Sequence, residues 1–349
     1  VYVVQTADGW KLVAHRHRPT GPPKPGAAPV ILCHGLSYNA SFWSLDPACN
    51  FIAYLTAAGY DVWAVDLRGS GASQKWVWNL EEAPDTLVNG ALRRLSQGKL
   101  GQTRFTTIDP KYANWSLDQH IAYDVPALVR LVRHHTGAPE VTWIGHSMGG
   151  IVALAHLARY QNPGIGRLVA IGSQVTMPNG QVPLQFFKEL IAVRERQLAG
   201  QLRGQELLLQ TRTSVHNLFF NVPNTPPRVY AALGSWAADI PAVGVLGQYT
   251  VLATRGELLD GPRRFRYAQH LGNIQIPVFF GGGQLDQFAP PPVQQYLFDH
   301  VGSTDKKLVI FGRAQGFSVD CGHDDVLVGL NSRTEVYPVI ERWISGVRP

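Results

Sequence analysis

Cysteine is scarce in this chain. Three residues of 349, Cys33, Cys49 and Cys321, cannot build a disulfide framework, and no two stand at CxxC spacing. Neither a stapled scaffold nor a structural zinc site is expected, and the three read as buried free thiols. Charged residues make up 16%, with 31 Lys and Arg against 25 Asp and Glu, and the net +6 is not gathered in a like-charged run. That excludes a nucleic-acid-binding tail. No apolar stretch reaches about 18 residues, which excludes a spanning helix. No signal peptide is visible, and a first residue of Val rather than Met reads as a trimmed N-terminus that leaves the compartment open. Lysine is sparse as well, eight against 23 arginines, a bias of GC-rich bacterial genomes that says little about function.

Apolar residues, by contrast, make up 45%, enough for a sizeable core and far too many for a disordered chain. The length exceeds what one core usually serves, so one large domain with an insertion, or two domains, is expected. Residues 1–6 and 10–17 read as strands joined through Asp8-Gly9, a good hairpin turn. After a proline-rich loop a rhythm begins. A short continuous apolar run at 29–33 reads as a strand buried on both faces, and further strands are read at 61–65, 141–144, 168–171, 277–280 and 307–311. Helical spacing marks 47–58, a helix from Ser116 to Gly137, 148–160, 293–301 and 334–344, and Ser116-Leu-Asp-Gln119 has capping-box spacing.

This alternation predicts an α/β fold: a mostly parallel, doubly wound sheet with an N-terminal hairpin, helices on both faces and right-handed crossovers. Residues 72–115 break the rhythm. From Gln174 to Leu271 no strand pattern appears, and helices are expected near 184–209 and 227–238. The expected division is a sheet core of residues 1–173 and 272–349 carrying an inserted, mainly helical cap of residues 174–271.

The strongest local signal is Gly145-His146-Ser147-Met148-Gly149, a G-x-S-x-G between an expected strand and an expected helix. A nucleophile on a sharp strand-to-helix turn needs small neighbours, and the helix that follows aims free backbone donors at developing negative charge. A serine hydroxyl also needs a base, and the base an orienting acid, at the carboxyl ends of later strands. Asp286 and His323 stand in loops after strands 277–280 and 307–311. Asp320, Asp324 and Asp325 lie beside the histidine and read as loop and capping groups. Ser173 and Gln174 fill the place where an alternative acid would stand. The backbone amides of Met148 and Leu36 are the expected oxyanion donors, Gly35 allowing close approach. His34 and His146 read as structural braces.

In this order the motifs resemble the α/β-hydrolase superfamily over essentially the whole chain. The likeness is strongest to the acid lipase branch, which includes lysosomal and gastric lipases and many bacterial relatives. Cys33-His-Gly-Leu36, Ala58-Gly-Tyr-Asp-Val-Trp63, Tyr123-Asp-Val-Pro126, Asn273-Ile-Gln-Ile-Pro277, Gly282-Gly-Gln-Leu-Asp286 and Gly322-His-Asp-Asp325 followed by Val336-Tyr337 carry it. The resemblance implies hydrolysis of carboxylic esters through an acyl-enzyme, with no metal and no cofactor. Met148 departs from the branch, which usually has Gln there. Residues 72–115 and the cap do not align, so acyl length does not carry over. An intracellular polyester (polyhydroxyalkanoate-type) depolymerase or an acyltransferase would use the same triad. A non-catalytic binding protein on this scaffold would usually lack a triad member or an elbow glycine, and none is missing.

The expected partner is a small-molecule or lipid ester, with no nucleic acid and no transmembrane segment; oligomeric state stays open. Residues 174–271 hold ten basic and six acidic side chains, densest at Arg263, Arg264 and Arg266. They read either as a solvated face or as a surface approaching an anionic interface. Phe186, Phe187, Phe219, Phe220, Trp236 and Tyr249 either wall an acyl pocket or form the cap's own core. Trp76 and Trp78, in a loop-like stretch, are placed at the entrance.

Overall fold

The structure, a computed structural model, describes residues 1–75, 78–82, 104–108, 114–160, 164–177, 187–188, 191, 218–235, 237, 239 and 241–346, with backbone alone for 78–82, 104–108 and 234–235. Ten strands are found among them: β1 (Tyr2–Gln5), β2 (Lys11–His17), β3 (Val30–Cys33), β4 (Val62–Asp66), β5 (Trp78–Glu82), β6 (Arg104–Ile108), β7 (Val141–His146), β8 (Ile165–Ile171), β9 (Val278–Gly283) and β10 (Lys306–Phe311). The apolar runs behave as double-sided strands should. β3, β4, β7 and β9 are buried at every position. Their side chains alternate between two cores: Ile31, Cys33, Trp63 and Val65 on one face, Val30, Leu32, Val62 and Ala64 on the other.

Eight strands form one sheet in the order β1-β2-β4-β3-β7-β8-β9-β10. From β4 to β10 neighbours run parallel, and the β1–β2 hairpin joins antiparallel through β2. The chain steps outward from β3 to β4, then returns past β3 to β7 and continues the other way. The carboxyl ends of β3 and β7 thus flank a topological switch point, where crevices form in open α/β sheets. Helices α1 (Phe51–Ala57), α2 (Val125–Thr136), α3 (Met148–Tyr160), α4 (Pro227–Ser235), α5 (Val243–Arg255), α6 (Pro291–His300) and α7 (Tyr337–Ile344) complete the layers. α2, α3 and α6 bury Leu128, Ile151 and Leu297 on the first face; α1 and α7 bury Leu55 and Ile340 on the second.

Local chemistry explains most boundaries. The Ser116–Gln119 capping box forms, and Gly137 ends α2 in the left-handed region at φ 71°. The helix expected at 47–58 splits, because Asn50 caps Ala53 N–H and restarts the chain as α1 after a 3₁₀ turn. Two elements differ from expectation. β5 and β6 pair antiparallel inside the stretch read as loop, so Trp78 opens a strand. Their partners lie too far apart for a turn signal. α5 was not anticipated: its Gly244, Gly247 and β-branched residues are poor helix formers. Burial of Val245, Leu246, Tyr249 and Leu252 on one face overrides propensity, and left-handed Gly256 closes the helix. Most of residues 184–209 lies outside the described residues.

The stretch between β8 and β9 does not pack on itself alone. Val175, Phe187, Leu246, Tyr249, Leu258 and Tyr267 join the first core, while Phe220, Val229 and Leu233 join the second. No helix among the described residues is long and apolar enough to cross a membrane.

Candidate active site

Ser147 sits between β7 and α3 with φ 49°, a left-handed conformation that costs a non-glycine residue about 1–3 kcal/mol. The surroundings hold it there. A Cβ on Gly145 would fall 2.3 Å from the Gly149–Gly150 backbone, and one on Gly149 2.2 Å from the Cys33 carbonyl oxygen. Only glycines let α3 start this close to β7 and β3. Ser147 N–H donates to the Ile171 carbonyl at 2.8 Å, and Ser173 Oγ donates to the Ser147 carbonyl at 3.0 Å, tying the turn to the end of β8.

The next residue, Gly172, links this turn to two more side chains. At φ 58° its Cβ position lies 3.1 Å from His323 Cε1 and 3.3 Å from Asp286 Oδ2. Asp286 follows β9 and His323 follows β10. His323 Nδ1 and Asp286 Oδ2 are 2.8 Å apart, both residues being nearly fully buried. Asp286 Oδ1 accepts from the Phe288 and Ala289 amides, each at 2.8 Å. Nδ1 therefore carries the proton toward Asp286, which leaves Nε2 for a substrate or a hydroxyl. The structure thus brings Ser147, Asp286 and His323 to one rim of the sheet.

Electrostatics at this rim are set by burial and by crowded acids. Burial pulls the His323 imidazole down, but Asp286, with Asp324 and Asp325 behind it, outweighs burial and leaves its pKa above the ordinary 6.5. Burial pushes Asp324 up to about 7, partly offset by His323 and by the Tyr38 hydroxyl that donates to it. Burial likewise lifts Asp325 to about 6, against the Asn224 amide and the Asn221 and Gly322 N–H groups it accepts. His146 is held well below 6.5 by burial and by neighbouring His323, so it is neutral. Its Nε2 lies 3.1 Å from the His323 carbonyl, as a donor bracing that loop.

The turn after β3 approaches from the opposite side. Gly35 has its Cβ position 3.2 Å from Ser147 Cβ. His34 accepts the Leu67 N–H through Nε2 at 3.3 Å, so its Nδ1 donates to the Gly35 carbonyl at 2.9 Å. It braces two loops, as its sequence position suggests. Leu36, Ser37, His120 and Met148 line a cavity of about 20 Å³, close to the size of one water.

The aromatics divide. Phe219 stacks on Phe288 at 4.3 Å, and the two rings lie 5.9 and 5.2 Å from His323. Phe187 stands 6.4 Å from Phe288 and stacks on Tyr249 at 5.2 Å. Phe220 points instead into the second core, 5.2 Å from Tyr230. Phe186, Trp236, Trp76 and the Trp78 side chain lie outside the described residues. Sequence reading missed Phe288; its place two residues after Asp286, in an apolar loop, was the available signal. Of the basic cluster, Arg266 is paired with Glu257 at 2.7 Å, while Arg263 and Arg264 are exposed.

His146, His323 and Asp324 form the one group of described residues with metal-ligand chemistry, their donor atoms within 4.8 Å of one another. All three are already engaged, His323 by Asp286, His146 by the His323 carbonyl and Asp324 by the Tyr38 hydroxyl.

The alpha/beta hydrolase fold family matches residues 28–329, and the chain belongs to that family. Lipase member K from Homo sapiens is 31% identical over 193 residues, covering 53% of this chain and 41% of that protein. Gastric triacylglycerol lipase from Rattus norvegicus is 28% identical over 192 residues, covering 53% and 42%. These alignments span less than half the length of either relative. Among solved structures, a thermophilic esterase from Thermogutta terrifontis superposes with a TM-score of 0.63 at 16% identity, covering 100% of this chain and 99% of the esterase. An esterase from Exiguobacterium antarcticum gives 0.62 at 16%, covering 98% of each.

Proposed function

We propose that this chain is a serine hydrolase that cleaves carboxylic esters with a hydrophobic acyl part, of lipase or esterase type, through an acyl-enzyme. The observation that carries this reading is the buried 2.8 Å bond between His323 and Asp286 beside a strained Ser147. Ser147 Oγ attacks the ester carbonyl carbon as His323 Nε2 takes its proton. The amides of Leu36 and Met148 bind the oxyanion, and Asp286 steadies the imidazolium. Collapse expels the alcohol, which takes the proton from His323. Water, deprotonated by the same nitrogen, then attacks the acyl-serine; the carboxylic acid leaves and Ser147 is restored.

Residues 174–271 act in this reading as a cap over the rim of a core made of 1–173 and 272–349. Phe219 and Phe288, with Phe187 behind them, wall the acyl side of the pocket, a surface suited to an apolar chain rather than a charged one. The lipases named above support a lipid or small-molecule ester as substrate. Ser147→Ala with an unchanged fold is expected to abolish turnover of p-nitrophenyl esters and labelling by a fluorophosphonate. Retained turnover overturns the proposal.

A further inference from the structure

Asp239 lies in the segment between β8 and β9, 200 residues from the turn after β3, yet it grips that turn at two points. Its N–H donates to the Ser37 carbonyl at 2.9 Å. Its carboxylate Oδ2 accepts from Asn39 Nδ2 at 3.2 Å and from the Gly71 N–H at 2.7 Å, and Oδ1 is ion-paired with Lys75. The side chain is 13% exposed, so these bonds compete with little water.

The residue it holds is itself strained. Ser37 has φ 64°, one of three non-glycine residues with positive φ among those described, Ser147 being another. Such conformations persist only where several contacts over-determine them. Asn39 adds a second hold, since its Oδ1 accepts from Ser41 N–H at 3.0 Å and starts the 3₁₀ turn Ala40–Ser44. Asp66 fastens the same two loops from below, accepting the Ala40 amide at 2.7 Å and the Ala72 amide at 2.9 Å. Tyr38 ties the turn sideways to Asp324, next to His323.

We infer that Asp239 is a positioning residue for the oxyanion-binding turn: supplied by the inserted segment, it holds Ser37 through its backbone N–H and ties Asn39 to Gly71 through its carboxylate, and so aims the Leu36 N–H. The inference rests on the ester-hydrolase reading above. Its physical basis is that an oxyanion donor contributes only when preorganised to within a few tenths of an ångström of the developing charge. The Leu36 amide sits one residue from a strained backbone conformation; loss of the carboxylate leaves the Ser37 backbone bond but frees Asn39 and Gly71, so the turn relaxes from its Asn39 side. Ground-state binding of an ester does not need that amide; the tetrahedral intermediate does. The effect therefore belongs in kcat.

The test uses Asp239→Ala and Asp239→Asn in the full chain, read by p-nitrophenyl ester kinetics, fluorophosphonate labelling rate and thermal midpoint. Asp239→Ala is expected to lower kcat and the labelling rate about 10- to 100-fold, short of the full loss of an oxyanion donor, with KM within about twofold. Asp239→Asn, whose amide oxygen still accepts from Gly71, is expected to lose about 3- to 10-fold and keeps the test available if the alanine variant fails to fold. A lowered midpoint with kcat of the folded enzyme within about twofold of wild type overturns the inference, as does a loss carried by KM alone. If wild type neither turns over esters nor takes the label, the ester-hydrolase reading fails and this one with it. An active wild type with undiminished variants sinks only the role of Asp239.

Discussion

Two buried histidine–aspartate pairs in this molecule share one geometry, Nδ1 to Oδ2 at 2.8 Å, and are set in opposite company. His120 and Asp124 lie four residues apart on the turn leading into α2. Asp124 also receives the Arg68 backbone N–H and two guanidinium bonds, at 2.9 and 2.6 Å from Nε and Nη2. Arg68 is fully buried against Trp10 and reaches Asp8 with its other end. Burial alone would raise the Asp124 carboxyl, but Arg68 and His120 hold it below its ordinary value. The charge is fully spent inside the network.

Asp286 and His323 are 37 residues apart, on loops after different strands. The second oxygen of Asp286 takes two backbone amides, and among the described residues no Lys or Arg forms an ion pair with it. An imidazolium that forms on His323 is then the natural counter-charge. The bond length does not separate a structural pair from a reactive one. What differs is the company: a buried arginine at Asp124, and at Asp286 a strained serine turn across Gly172.

Moving each aspartate to asparagine breaks this comparison from both sides. Asp286→Asn is expected to cut kcat about 10⁴-fold, by favouring the wrong imidazole tautomer, while the thermal midpoint moves by only a few degrees. A loss under about tenfold would place Asp286 with the structural pair. Asp124→Asn is expected to do the reverse. It leaves Arg68 buried with less than its full countercharge and costs about 3–5 kcal/mol in urea unfolding, while kcat per folded molecule stays within about fivefold. If it instead spares stability and abolishes turnover, the roles assigned to the two pairs are exchanged.

A smaller effect sharpens the contrast through pH. Because Asp286 holds the His323 pKa above 6.5, the imidazole is protonated and unable to take the serine proton at lower pH. The acid limb of kcat/KM should have its midpoint above 6.5. A midpoint below that value would mean burial wins over the carboxylates. The smallest effect lies behind the histidine. Folded Asp324 titrates near 7 against an ordinary 3.8, so between those values the folded state binds a proton the unfolded chain has lost. Stability contributed by this group therefore falls as pH rises from 3.8 to 7. Asp324→Asn removes that dependence and is expected to raise the thermal midpoint at pH 8 by about 2–8 °C, and by less at pH 5. An equal change at both pH values breaks the argument.

How much of this was legible depends on the range of the forces involved. The helix read at 148–160 is α3 to the residue, because apolar periodicity and the flanking turn are properties of neighbours. The Ser147 turn was legible for the same reason: its glycines are needed within a few residues of the strain they permit. Asp286 and His323 could be placed because strand ends can be read. α5 could not, since its glycines and β-branched residues argue against a helix and only burial forms it. Phe219 and Phe220 read alike in sequence, yet one lies beside His323 and the other in the opposite core. Nothing near Asp239 announced that its carboxylate would meet Asn39 and Gly71.

By itself, the order of residues determined the strands and helices of the sheet, the strained serine turn and the placing of Asp286 and His323 just past strand ends. Those follow from periodicity, glycine placement and capping, which act over a few positions. Only the tertiary structure decided which buried aspartate–histidine pair carries an arginine, which aromatics reach the rim and which distant carboxylate grips the turn at Asn39. Those contacts join residues 56, 104 and 200 positions apart. Burial and neighbouring charge, the forces that set their chemistry, exist only once the chain has folded.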